Sequence, residues 1–391
     1  MSQPQVPRSQ RAAQRAARRR RKRRITFALS AVVVVVAGGV AAYSLTRTTD
    51  KKEVAAPRPT TTTSTIPPTT TTVRDPRRGN GQPVTFAFGG DSHFEGALRT
   101  KLDADPNTVL AAIAPTLSLA DFAMVNLETA ITEGGTKATP KEFNFRAPAT
   151  ALDALRAAGV DATTIANNHG MDYGADGLAD SLAARAAKQF PVIGLGANAA
   201  EAYTPLLQEI KGQRIAVFAA TDVMGEEWVS SWTATDTQPG LASTKYEAQA
   251  RMVAAIQAVR PAVDTVVVML HYGVERMGCA TPRQQEIANA LVAAGADIVV
   301  GSHAHVLEGA GRLGTAFVDY GLGNFIWYNE SGENGRTGVL FVTATGRDID
   351  SYQWVPARIK GGVATPLPAG SEADAELAHW NELRGCTGLA P

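Results

Sequence analysis

Acidic residues are absent from the first 24 positions of this 391-residue chain, cysteine occurs twice, histidine six times, and aromatic residues make up only 6%. Ten basic residues stand in that acid-free stretch (Arg8, Arg11, Arg15, Arg18, Arg19, Arg20, Arg21, Lys22, Arg23 and Arg24), so the net charge of +1 conceals a basic tail and an acidic body. From Pro83 onward, 21 basic residues face 34 acidic ones, a formal −13. A body so short of cations excludes nucleic acid as its partner, because such binding draws its affinity from a cationic face that neutralises phosphates. Two cysteines allow one intramolecular bridge and no more. Six histidines are few enough to be weighed one by one.

Charge of either sign is also missing from Ile25 to Leu45, a run that includes Val32 to Val36. About 20 apolar residues make a helix long enough to cross a hydrocarbon core. The run reads as a transmembrane helix, residues 25–45. The cations before it mark the cytoplasmic flank, so residues 1–24 form a cytoplasmic tail and everything after Leu45 lies outside. The alternative is a cleaved signal peptide with a long basic leader, ending near Val40, Ala41 and Ala42; the apolar run exceeds the usual signal-peptide core. The expected location is therefore the cell membrane, single-pass, with lipid headgroups as the partner of the basic tail.

Residues 46–82 hold Thr60 to Thr63, Pro67, Pro68 and Thr69 to Thr72. There is too little apolar surface to offset the entropy of ordering, and the segment reads as a disordered extracytoplasmic linker with the composition of an O-glycosylated stalk. On the oxidising side of a membrane, Cys279 and Cys386 are expected to form a disulfide that ties the C-terminal helix to the body; two buried thiols are the alternative.

Residues 83–391 alternate short apolar strands with amphipathic helices and form one α/β domain. Strands are expected at Val84 to Phe88, Phe122 to Val125, Ala162 to Ala166, Val192 to Leu195, Ile215 to Ala220, Thr265 to Leu270, Ile298 to Val300, Ala316 to Tyr320, Val339 to Thr345 and Ser351 to Ile359. Helices are expected from the Asp105–Pro106 pair through Ala112, and at Ala149 to Ala158, Gly174 to Lys188, Tyr246 to Val259, Pro282 to Ala294 and Glu372 to Leu383.

Polar residues follow the C-terminal ends of these strands, where open α/β sheets build their sites. The segments are Gly90-Asp91-Ser92-His93, Asn126-Leu127-Glu128, Asn167-Asn168-His169, His271-Tyr272-Gly273 and Gly301-Ser302-His303-Ala304-His305. Five of the six histidines are here; His379 is not. Asp-x-His and His-x-His each bring two ligands onto one turn once the backbone leaves strand geometry. Imidazole with carboxylate suits Zn, Fe, Ni or Mn, and a carboxylate such as Glu128 can bridge two cations. Two such metals would clamp an anionic ester and activate a bridging water without a serine or cysteine.

In this order the motifs resemble the calcineurin-like metallophosphoesterase signature. With Val125-Asn126-Leu127-Glu128, Asn144-Phe145-Arg146-Ala147-Pro148, Asn167-Asn168-His169-Gly170-Met171-Asp172, His271-Tyr272-Gly273-Val274-Glu275 and Gly321-Leu322-Gly323-Asn324-Phe325 they resemble the CapA family, membrane-anchored proteins of bacterial poly-γ-glutamate capsule biosynthesis. The resemblance implies a four-layer α/β/β/α metallophosphoesterase-like sandwich holding two divalent metal ions. Asp91, His93 and His305 would hold one ion, Asn168, His271 and His303 the other, with Glu128 between them and His169 as general acid. The bridging position departs from the pattern, since Glu128 stands where phosphoesterases carry an Asp.

Arg146 is a candidate for an anionic substrate or for a structural salt bridge. Asp172 and Glu275 are candidates to orient His169 and His271, or plain loop and cap residues, and Asn324 is a candidate to line the site or to stabilise a turn. Two functions follow: a metal-dependent hydrolase of phosphoester type acting on a cell-envelope or capsule substrate, or a non-catalytic accessory subunit for synthesis, export or anchoring of an anionic envelope polymer. Other subunits of a capsule polymer synthesis complex are the expected partners. An acidic body repels a polyanion unless metal or local arginines reverse the field, which favours the enzyme.

Overall fold

The computed structural model describes residues 74–391. The basic tail, the 25–45 span and the linker as far as residue 73 lie outside the described residues, among which no helix is long and apolar enough to cross a membrane. Residues 74–82, assigned by composition to the linker, lie against the body: Arg74 pairs with Asp264, and Arg77 and Arg78 pair with Asp348. Ion pairs and hydrogen bonds attach them, including Gln213 to the Arg78 and Gln82 carbonyls and Arg347 N–H to the Arg77 carbonyl, so a search for apolar surface passes over them.

Fourteen strands build two sheets. In chain order they are β1 (Val84–Ser92), β2 (Phe122–Leu127), β3 (Ala162–Thr164), β4 (Val192–Ile193), β5 (Leu206–Ile210), β6 (Gln213–Thr221), β7 (Thr265–His271), β8 (Ile298–Ser302), β9 (Ala310–Leu313), β10 (Ala316–Asp319), β11 (Asn324–Ile326), β12 (Arg336–Thr345), β13 (Asp348–Lys360) and β14 (Val363–Pro366). The first sheet has the order β11-β14-β13-β12-β1-β2-β3-β4, with β11 also pairing to β1, and the second β9-β10-β8-β7-β6-β5. The helices of eight or more residues are α1 (Ala97–Ala104), α2 (Thr150–Ala157), α3 (Gly174–Lys188), α4 (Ala248–Val259), α5 (Pro282–Ala294) and α6 (Ser371–Leu383).

The period of two along a strand sorts side chains into layers. Phe86 and Phe88 of β1 and Val267 and Met269 of β7 meet between the sheets. Ala87, Ala123 and Val125 face the opposite way, onto Leu98, Leu102, Leu152 and Leu155 of α1 and α2. Val266, Val268 and Leu270 face outward from the second sheet onto Met252 and Ile256 of α4 and Ile287 and Leu291 of α5. The result is helix, sheet, sheet, helix, an α/β arrangement in which β1, β2, β7 and β8 are buried on both faces and therefore read as nearly unbroken apolar runs.

Helices Gly174–Lys188 and Pro282–Ala294 match their expected bounds, the latter because Thr281 and Gln284 form a capping box and Gly295 ends the helix in the left-handed region. The Asp105–Pro106 pair does not open a helix. Asp105 ends α1, its carboxylate accepts from Asn107 N–H at 2.9 Å, and turns lead on to a short helix at Ala114–Leu117. An Asx turn satisfies the same local donors as an N-cap. The disulfide Cys279–Cys386 joins the loop after β7 to the turn beyond α6.

Candidate metal centre

The C-terminal ends of the parallel strands from both sheets converge. In register, Asp91 of β1 lies beside Asn126 of β2 and Asn324 of β11, and His271 at the end of β7 lies beside Ser302 at the end of β8. Gly90 permits the approach: a Cβ there would stand 1.9 Å from the Gly323 carbonyl oxygen. Beyond β8, His303 and His305 take φ of 99° and 57°. Non-glycine residues enter that region at a cost, and here they bend the chain so that ligands two apart converge. The His303 N–H donates to Asp91 Oδ2 at 2.9 Å, which ties the second sheet to the first.

Glu128 sits at the centre, wholly buried, with neither carboxylate oxygen hydrogen-bonded. Its Oε1 is 3.6 Å from His271 Nε2, 3.7 Å from His169 Nε2 and 3.8 Å from His305 Nε2. Two ligand groups share it: Glu128, His271 and His303, and Asp91, Glu128 and His305, each with ligand atoms all within 4.8 Å of one another. Asn168 Oδ1 approaches His271 Nε2 to 2.7 Å and adds an oxygen to the first group. Asp91 Oδ2 is 3.3 Å from His305 Nδ1 in the second. His93 stands beside that group without entering it: Glu95 N–H donates to its Nδ1 at 3.0 Å, its ring lies against Phe145 and Trp327, and its buried Nε2 has no partner. Buried polar atoms without partners are rare in native proteins. Glu128 Oε1 and Oε2 and His303 Nδ1 in one place fit divalent cations.

The electrostatics agree with a centre built for positive charge. Burial, with Asp91 alongside, holds Glu128 well above the usual carboxylate range. Burial and neighbouring imidazoles hold His93 and His271 well below the usual range, and burial with His305 nearby takes His303 down to about 3. These three are therefore neutral, the form that binds metal. His305 differs: burial opposes its charge, but the carboxylates of Glu128 and Asp91 prevail and raise it to about 9. Its proton occupies a spot where the carboxylates favour a cation.

The family model described as "Bacterial capsule synthesis protein PGA_cap" matches residues 85–329, most of the body and all of these ligands. The chain belongs to that family. It is 30% identical over 223 residues to the capsule biosynthesis protein CapA of Bacillus anthracis, covering 56% of this chain and 53% of that one. It is 28% identical over 265 residues to the PGA biosynthesis protein CapA of Bacillus subtilis, covering 65% and 68%. A Mycobacterium tuberculosis protein, described as a probable polyglutamine synthesis accessory protein, is 30% identical over 190 residues, covering 47% and 50%. The chain thus spans about half the length of the first and third of these curated relatives.

Around the ligands, this member of the capsule synthesis family places its other candidates unevenly. His169 Nδ1 lies 2.5 Å from Asp172 Oδ2, which turns Nε2 toward Glu128. Asp172 also accepts from Phe145 N–H at 2.7 Å and pairs with Lys141, whose Nζ is 3.1 Å from the same Nδ1. Burial lowers the His169 pKa against the pull of Asp172. Asn324 Oδ1 is 2.9 Å from His305 Nδ1, and its amide donates to the carbonyls of His305 and Asn334. Glu275 does not reach His271, which is held instead by Asn126 at 3.0 Å and Ser302 Oγ at 3.1 Å; it stands at the exposed mouth, in the wall of a cavity of about 130 Å³. Arg146 donates to the Glu133 carbonyl at 3.2 Å and lies over the Tyr173 ring, outside the lining of that cavity. Lys141 was not marked by any spacing, and Asn126 and Asn167 stood in the polar segments with no role of their own. Asn167 donates to Asn126 Oδ1, and Asn126 to Asp91 Oδ1 at 2.7 Å, a chain that fixes the carboxylate.

Proposed function

We propose that this protein is a membrane-anchored, extracytoplasmic member of the capsule synthesis family whose body is a phosphoesterase-type hydrolase dependent on two divalent metal ions and acting on a cell-envelope substrate. One observation carries the reading: a buried, unpaired Glu128 is common to two ligand groups. Ions held there, of Mn, Fe, Zn or Ni, would polarise an anionic ester and supply a hydroxide-like nucleophile at neutral pH. Asp91, Glu128 and His305 would hold one; Glu128, Asn168, His271 and His303 the other. His169 would act as the imidazolium, giving its Nε2 proton to the leaving oxygen, with Asp172 on the Nδ1–H favouring that charged form against burial and Lys141 balancing the charge of Asp172. Asn324 orients His305, and Asn126 orients both Asp91 and His271. The anchor rests on the uncharged run 25–45 and the cations before it.

A second reading, an accessory subunit for polymer synthesis, export or anchoring, is favoured by the description of the Mycobacterium relative as a probable polyglutamine synthesis accessory protein. Elemental analysis of the protein purified without chelator, with hydrolysis of bis(p-nitrophenyl) phosphate, separates the two. His169→Ala is expected to keep its metal and to lose roughly 10²- to 10⁴-fold in rate on an alkyl ester, and less on a p-nitrophenyl ester, whose leaving group needs no proton. Full metal content with no hydrolysis of any phosphoester by the unaltered protein would assign the accessory role.

A further inference from the structure

Two buried carboxyls take no part in the metal centre, and nothing in the proposed chemistry uses them. Glu308 and Asp319 are both fully buried. They flank the short stretch that leads from the His303–His305 bend into β9. Glu308 N–H donates to the Gly321 carbonyl at 2.8 Å and Tyr320 N–H to the Gly309 carbonyl at 3.2 Å, while Asp319 lies opposite Ala310 in the β9–β10 register. The same stretch meets the end of α6. A Cβ on Gly309 would stand 2.4 Å from the Leu383 carbonyl oxygen, and Arg384 Nε donates to the Ala310 carbonyl at 2.7 Å.

What faces the two acids carries no positive charge. Helix α5 presents Gln284, whose amide donates to Glu308 Oε2 at 2.7 Å; Tyr272 follows β7, Tyr320 follows β10, and α6 presents Trp380. The arginines of the adjoining elements are directed elsewhere, Arg384 to the Ala310 carbonyl and Asn381, and Arg312 to the Ile349 carbonyl. No lysine, arginine or histidine among the described residues pairs with either carboxyl. Glu308 Oε1, both Asp319 carboxyl oxygens and the Tyr272 hydroxyl are buried without a hydrogen-bond partner. A carboxylate with no cation beside it is far costlier to bury than a carboxylic acid, which brings a donor of its own. Burial accordingly raises Glu308 to about 8 against the Gln284 amide, and holds Asp319 well above its usual range against the nearby Gly321 N–H and Trp380 indole. We propose that Glu308 and Asp319 form a proton-dependent latch at the seam between the ligand bend and α6: the fold holds both as neutral acids, and it weakens as the pH rises. Unfolded, such carboxyls ionise at about 4. From there upward the folded chain binds more protons than the unfolded one, so stability falls with rising pH, and for Glu308 the fall ends at about 8.

Urea titrations from about pH 5 to about pH 9 compare the unaltered protein with Glu308→Gln, whose amide keeps the shape and the donor of the protonated acid. The titrating groups of the metal centre are common to both proteins and cancel in the ratio. The folding equilibrium constant of the variant over that of the unaltered protein is expected to rise about tenfold per pH unit between about pH 5.5 and about pH 7.5, and to level off above about pH 8. Asp319→Asn should give a rise of the same sign, and it carries the test if the first variant does not fold. Infrared spectra of the unaltered protein need neither variant: a protonated-carboxyl band should be present at about pH 6 and shrink by about pH 9. A ratio that does not change with pH overturns the proposal, and if it stands below one the carboxylate is charged and neutralised by a bound cation. Absence of the infrared band at about pH 6 overturns it too.

Discussion

Removing the Cys279–Cys386 bond by a double substitution to serine should lower the melting temperature by up to about 7 °C without unfolding the protein. The bond spans 107 residues, and a loop of that length restricts the unfolded chain by about 4.8 kcal/mol at 25 °C in the loop-entropy account. Roughly 320 residues melting with about 2.1 cal/mol/K each give an unfolding entropy near 0.67 kcal/mol/K, and the ratio of the two is the 7 °C. The native fold does not need the bond to seat its C-terminus. Trp380 of α6 stacks on Trp354 with ring centroids 5.5 Å apart, Arg384 donates to the Ala310 carbonyl at 2.7 Å, and Arg312 and Ala390 exchange backbone hydrogen bonds. Both cysteines are exposed, so reductant added to the unaltered protein should reproduce the shift. Calorimetry of the two proteins, with near-ultraviolet circular dichroism at 25 °C, decides it. An unchanged melting temperature would mean that the unfolded chain is not restricted by the loop. Loss of the aromatic signal at 25 °C would mean that the docking of α6 depends on the bond and that the contacts just named do not suffice.

The shared carboxylate makes a stoichiometric prediction: Asp91→Asn and His303→Ala should each retain about one of two ions, whereas Glu128→Gln should fall below one, and full occupancy in the Glu128 variant would show that it bridges nothing. Asp172→Ala leaves the Lys141 ammonium, 17% exposed, without its counter-charge, and should cost roughly 3 kcal/mol, at the lower end for a broken buried pair. Adding Lys141→Met to that variant should recover part of the loss in urea titrations; strictly additive losses would mean the two do not interact.

The strands that end in ligands were legible because each is a short apolar run closed by a polar residue, as in Thr265–His271 and Ile298–Ser302. Helix Pro282–Ala294 was legible from its cap and its terminal glycine. Helix Ala97–Ala104 was not, since Gly96 offers no capping side chain and only Leu98 and Leu102 are buried. Strands β5, β9, β11 and β14 are three to five residues long or lie at a sheet edge, below what a periodic pattern can declare. At the centre, histidines and carboxylates announce themselves by type and position. Lys141 comes from a loop 28 residues before its partner His169, and the Asn126–Asn167 contact crosses 41 residues, so only the fold brings them together. Glu275 and Arg146 show that a place in a motif does not fix a role: Glu275 lines the mouth and does not hold His271, and Arg146 lies half-buried over the Tyr173 ring.

Each ligand group draws on both sheets. Asp91 and Glu128 lie on or just after strands of the first, while His271, His303 and His305 lie on or just after strands of the second, and more than 200 residues separate Asp91 from His303. No nascent chain shorter than about 305 residues carries either group, and no intermediate with only one sheet formed can hold an ion between them. Any ion held there would therefore be captured late, once both sheets have been made and have docked. Affinity alone discriminates poorly among first-row divalent cations, and availability decides much of the outcome. The place where the chain finishes folding, and what that compartment supplies at that moment, would thus set the identity of any ion held.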